Sequence, residues 1–67
     1  MYVMVTIRGV KVIAKRENEV RCEQGARVLD VPSNMLWNED ELVEGGTCDL
    51  YVRKSWALAN EVAYEDD

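Results

Sequence analysis

The chain has 67 residues, a net charge of −5 and no histidine. It is therefore one small acidic domain without the imidazole base of serine or cysteine nucleophile catalysis. Two cysteines are too few for a disulfide framework, and without histidine they cannot complete a structural zinc site within one chain.

In chain order, Val3, Val5 and Ile7 alternate with Tyr2, Met4 and Thr6, the period-two pattern of a strand. Both sets are fairly apolar, so the strand is central or turns one face to another subunit. Gly9 interrupts the alternation, which resumes as Val10, Val12 and Ala14 against Lys11, Ile13 and Lys15. No polar turn intervenes, which predicts one strand with a bulge or sharp bend at Gly9. Arg16-Glu17-Asn18-Glu19 reads as a tight turn, and residues 19–23 as a short strand with Val20 and Cys22 inward and Arg21 outward. Gln24-Gly25 turns the chain into a strand over residues 26–31, in which Val28 and either Leu29 or Val31 compete for the core. Pro32 donates no ladder hydrogen bond and ends that strand. Residues 33–36 are expected to form one helical turn, with Trp37 covering an open end of the core.

Asn38-Glu39-Asp40-Glu41 reads as an acidic loop and residues 43–47 as a glycine turn. Cys48, Leu50 and Val52 then alternate with Asp49, Tyr51 and Arg53 in the last clear strand. Ser55 is suited to N-cap a short helix over residues 56–62, and the acidic residues 63–67 are expected to fray. Both tryptophans are read as core plugs, Met1, Met4 and Met35 as gap-filling core residues, and the cysteines as small buried hydrophobes. The expected fold is mainly β: a small, highly bent antiparallel sheet or partly open barrel, SH3-like or OB-like. It has four to five strands and one short C-terminal helix, in a single domain over residues 1–62.

No recognised catalytic constellation survives this reading. Gly45-Gly46 lacks the downstream lysine of a phosphate loop, and a carboxylate pair such as Asp30 with Asp49 reads as solvated surface. Neither an enzyme nor a cofactor is expected. No run reaches the length of a membrane span, and the N-terminal segment lacks the basic leader and cleavage site of a signal peptide. A cytoplasmic protein with free thiols is expected.

Charge is distributed unevenly. Residues 1–29 carry six basic and three acidic side chains, and residues 30–67 carry two basic and ten acidic ones. Two electrostatic faces follow if each half keeps its own side. Arg8, Lys11, Lys15, Arg21 and Arg27 are the candidates for a nucleic-acid or nucleotide surface, with Lys11 and Lys15 on one face of a regular strand. An acidic pI of 4.6 opposes that role. Glu39, Asp40, Glu41 and Glu44, with Asp49 nearby, present negative charge to a basic partner. Tyr51 and Arg53 share one strand face and are suited to a phosphate or carboxylate.

Two motifs carry a family likeness. Val31-Pro32-Ser33-Asn34-Met35-Leu36 is similar to a strand ending in an aliphatic-Pro-Lys-Ser turn, and Val52-Arg53-Lys54-Ser55-Trp56-Ala57-Leu58-Ala59 to a strand entering a Trp-Leu-Ala helix. Together with the N-terminal hairpin they resemble a group of small bacteriophage and prophage proteins. The chain departs from that pattern in Ser33, which replaces the usual lysine, and in a leucine where a tryptophan often precedes the turn. Ala57-Leu58-Ala59 also inserts a residue. The resemblance implies a phage origin, a compact β fold and action on a host or defence protein, and it transfers no catalytic residue.

The leading expectation is a phage-type inhibitor or regulator. It would act by protein–protein contact through the acidic loop (Glu39, Asp40, Glu41, Glu44) and the Tyr51–Arg53 face. A homo-oligomer is expected because a core this small gains from self-association. The alternative is a β-barrel that binds nucleic acid through the basic set, or a small anionic nucleotide held between subunits by arginines.

Overall fold

A long, twice-broken strand organises the molecule. In a computed structural model that describes residues 2–66, β1 (Met4–Lys15) pairs antiparallel with β2 (Glu19–Gln24) along its last third. Along its first two-thirds β1 pairs with β4 (Thr47–Arg53). β3 (Arg27–Pro32) lies outside β2, giving the order β3-β2-β1-β4, and β5 (Glu65–Asp66) pairs with Val5 and Thr6 of β1. The sheet is antiparallel and not closed. After Pro32 a 3₁₀ turn (Ser33–Met35) carries the chain to the far edge of β4, where Leu36 bridges to Val52. A second 3₁₀ turn (Glu39–Glu41) follows, and β4 runs directly into α1 (Lys54–Ala59).

Alternation builds the core. Val5, Ile7, Val10 and Val12 of β1, Val20 and Cys22 of β2, Leu29 and Val31 of β3, and Leu50 and Val52 of β4 are all buried on one face. Leu36, Leu42, Trp56, Ala57 and Val62 cover it from the connections and the helix. Each such aliphatic side chain removed from water contributes about 1.5–3 kcal/mol before ordering costs.

The two breaks in β1 let one strand serve two neighbours. The ladder with β4 shifts between Ile7 and Val10, where Gly9 takes a left-handed φ of 65° that a β-carbon would strain. The ladder with β2 shifts between Val12 and Ala14. This second shift reverses which face the residues beyond it present. Lys11 sits opposite Glu23 on the outer face, whereas Lys15 sits opposite the buried Val20. The two lysines therefore do not share a face, contrary to the regular-strand expectation.

Several local expectations are corrected. The competition within β3 is decided against Val28, which lies opposite Glu23 and is 52% exposed, because the pairs Val20–Val31 and Cys22–Leu29 take the core face. α1 begins at Lys54 after Arg53 and has no side-chain cap, so Ser55 lies inside its first turn; the helix ends at Ala59. Val62 is then held by a C-terminal motif in which its N–H donates to the Ala57 carbonyl (3.0 Å). Glu65 and Asp66 pair with β1 instead of fraying, aided by Arg8–Glu65 and Lys54–Asp66 ion pairs. Cys22 is fully buried and Cys48 half-buried; Met4 and Met35 are half-buried, and Met35 packs on the core. Met1 and Asp67, in the expected methionine set and tail, lie outside the described residues.

Candidate functional site

The outer face of β4 carries the most unusual surface of the molecule. Because Val52 points into the core, its neighbours Tyr51 and Arg53 point outward, beside Thr6 and Met4 in the register with β1. Tyr2 precedes Met4 on the same face, and its ring lies beneath the Arg53 guanidinium, 3.6 Å from carbon to ring centroid. Trp37 flanks Tyr51 from the other side, with ring centroids 6.4 Å apart and planes tilted by 57°.

Trp37 is 71% exposed and does not cover the core, contrary to the reading of both tryptophans as plugs. Trp56, at 9% exposure, does. The backbone explains the difference. Leu36 takes the inward position through its bridge to Val52, so the next residue faces out. The Trp37 N–H donates to the Tyr51 carbonyl (2.7 Å). Asn38 is buried, its side-chain amide donating to the Asp49 carbonyl and its carbonyl oxygen accepting from the Tyr51 N–H, both at 3.0 Å. One asparagine side chain thus stands in for a neighbouring strand and pins Trp37 outside.

Two shallow grooves flank the Tyr2–Arg53 stack. The larger, about 290 Å³, is lined by Tyr2, Val3, Arg53, Lys54, Ser55 and Leu58. The smaller, about 110 Å³, is lined by Tyr2, Met4, Asn34, Met35, Leu36, Trp37 and Arg53. Tyr2 (68%) and Leu58 (58%) are strongly exposed. The sequence places Tyr51 and Arg53 on this face but gives no expectation of Tyr2 or an outward Trp37 there. The signal for Tyr2 was present in the first strand, where it shares the parity of Met4 and Thr6.

The acidic residues divide by task. The Glu39 carboxylate accepts from the Ser33 hydroxyl (2.9 Å), and the Glu44 carboxylate from the Lys15 N–H (2.9 Å). Asp49 accepts the Gly9 N–H at 3.0 Å and pairs with Arg8 at 3.3 Å, satisfying the first bulge of β1. Asp40 and Glu41 project into solvent from the second 3₁₀ turn. That turn begins directly after Asn38, so the acidic residues start beside the aromatic face.

The basic set is drawn into the fold. Arg8 bridges Asp49 and Glu65, the Lys15 ammonium donates to the Leu42 carbonyl, and Arg21 pairs with Asp30 at 2.9 Å. That bond holds the Asp30 carboxyl below the usual carboxylate range and raises Arg21. Arg27 donates to the Asn60 and Glu61 carbonyls at the end of α1. Lys11 faces solvent opposite Glu23. The acidic and basic halves interleave across the sheet instead of forming two separate faces.

Burial raises the Cys22 thiol to about 11 and also pushes Cys48 upward, so neither is an activated nucleophile. No helix among the described residues is long and apolar enough to cross a membrane. No family model, curated protein or solved structure matches this chain.

Proposed function

We propose that this chain is a small phage-type binding protein that acts by protein–protein contact, as an inhibitor or regulator of a host or defence factor. It would work as a homo-oligomer in the host cytoplasm. The observation that carries the reading is Trp37, held 71% exposed beside Tyr51 and the Arg53–Tyr2 stack. Tryptophan, tyrosine and arginine clustered on one rigid surface are the composition of binding hot spots. The solvent-facing Asp40 and Glu41 adjoin that surface and would steer a basic region of the same partner.

The alternative, an anionic ligand on Arg8, Lys11, Lys15, Arg21 and Arg27, has less support. Arg8, Lys15, Arg21 and Arg27 are engaged in internal bonds that such a ligand would have to displace. Salt-sensitive binding to single strands that is lost on charge reversal at Lys11 would favour it.

The test is affinity capture from host lysate, comparing the parent chain with Trp37→Ala and with Asp40→Asn/Glu41→Gln. Glu39 and Glu44 are left intact because their carboxylates hold the fold. A partner is expected to be retained by the parent and lost with Trp37→Ala. Equal retention by all three proteins refutes the surface assignment. Light scattering on the purified protein reads the oligomeric state.

A further inference from the structure

We infer that the Tyr2–Arg53 stack and its two flanking grooves receive an extended segment of a partner protein in which one carboxylate lies between two apolar side chains. The inference rests on the protein-contact reading above and names the chemistry of what is bound.

Charge is the first argument. The chain has thirteen acids. Yet the residues lining the two grooves include no aspartate or glutamate and two cations, Arg53 and Lys54. Among the described residues Lys54 has a carboxylate partner, Asp66 at 3.7 Å. Arg53, among the described residues, has only the face of Tyr2. A cation stacked on a ring keeps the N–H donors in its own plane, so Arg53 presents an oriented fork that no carboxylate of the described residues fills.

Geometry is the second argument. The apolar hollows lie on opposite sides of this fork, one toward Val3 and Leu58 and the other toward Met4, Met35 and Trp37. An extended chain directs every second side chain to the same surface, about 7 Å apart. The matching pattern is apolar, any residue, Asp or Glu, any residue, apolar. The acidic 3₁₀ turn starts two residues beyond Trp37, which disfavours further acid on that side and leaves the one carboxylate at Arg53, between the hollows. A second copy centred on this patch is a poor occupant, because a two-fold passing through it would set Arg53 against Arg53.

The test is selection from a random peptide library displayed on phage, using the folded parent chain as bait. Enrichment of the apolar-x-acid-x-apolar pattern is expected. A selected peptide should shift the amide signals of residues 2–4, 35–37 and 53–58 in nitrogen-15 spectra. Arg53→Gln should weaken that peptide at least roughly tenfold. The charge-reversed Arg53→Glu, screened against the same library, should enrich lysine or arginine at the central position. Thermal melts of both variants establish that they fold.

Peptides that bind at these residues without acid enrichment overturn the ligand class and leave the protein-contact reading standing. Peptides that shift only residues 39–44 overturn the location and leave it standing too. No enrichment over a Trp37→Ala bait, with lysate capture equally indifferent to Trp37→Ala, overturns both. Retention of anionic lipid vesicles without peptide enrichment, or dimerisation abolished by Trp37→Ala, also overturns the inference.

Discussion

Glu61→Gly is expected to stabilise the protein. Glu61 is the only residue other than glycine among those described with a positive φ, at 54°. It occupies the left-handed position that closes α1: its N–H donates to the Leu58 carbonyl (3.2 Å) and that of Val62 to the Ala57 carbonyl (3.0 Å). This is the double hydrogen bond of a Schellman end, and the packing of Val62 with Ala57 in the core accompanies it. A residue with a β-carbon pays about 1–2 kcal/mol for that conformation. Glycine returns about 0.4–1 kcal/mol of this through its freer unfolded chain. Removing a carboxylate from a helix C-terminus gains about 0.3 kcal/mol. The net gain is about 1 kcal/mol, or about 4–8 °C in Tm for a domain of this size. Urea titration of parent, Glu61→Gly and Glu61→Gln measures it, the glutamine variant isolating the charge contribution of about 0.3 kcal/mol. A glycine variant with a lower midpoint and unchanged m-value would refute the reasoning, since it would show that the Glu61 side chain contributes more than its backbone costs.

Other outcomes follow from the same geometry. Trp56→Ala should lower unfolding free energy by about 3 kcal/mol or more, and Trp37→Ala should change it by no more than about 0.5 kcal/mol, both read by denaturant titration. Asp49→Ala removes the acceptor of the Gly9 N–H and the partner of Arg8, and should cost about 1 kcal/mol in the same assay, with Asp49→Asn recovering part of it. In the native protein near neutral pH a thiol reagent should modify Cys48 slowly and Cys22 only after unfolding. The buried Cys22 thiol ionises near 11, above its ordinary value, so its contribution to stability is intact below the unfolded thiol's pKa. That contribution is lost as pH rises through about 11, and a Cys22→Ala variant should show less alkaline destabilisation.

The strand pattern was legible wherever period two runs unbroken. Val5, Ile7, Val20, Cys22, Leu50 and Val52 face inward as their alternation requires, and Gly9 announced its own bulge. The bulge between Val12 and Ala14 has no glycine to mark it, so the parity reversal that separates Lys11 from Lys15 was hidden. The core positions of β3 stayed open for a related reason: in Val28-Leu29-Asp30-Val31 two apolar parities compete, and only pairing with Val20 and Cys22 decides between them. The pairing of Glu65–Asp66 with β1 is a long-range backbone contact, which an acid-rich terminal sequence conceals.

Trp37 was hidden more deeply, and the reason bears on its role. A tryptophan after a 3₁₀ turn has no alternation to follow; its direction is set by three separate attachments to β4. Leu36 bridges Val52, the Trp37 N–H bonds the Tyr51 carbonyl, and Asn38 holds both Asp49 and Tyr51. Those contacts fix the backbone on both sides of the indole, so it stays in water although burial would be favourable. Arg53 is likewise oriented by its stack on Tyr2. Ordering a long side chain at an interface costs about 0.5–1.5 kcal/mol, and a surface that has already met this cost binds correspondingly tighter. The proposed contact surface would thus be ordered in the free protein, its restraints being the same contacts that complete the edge of β4.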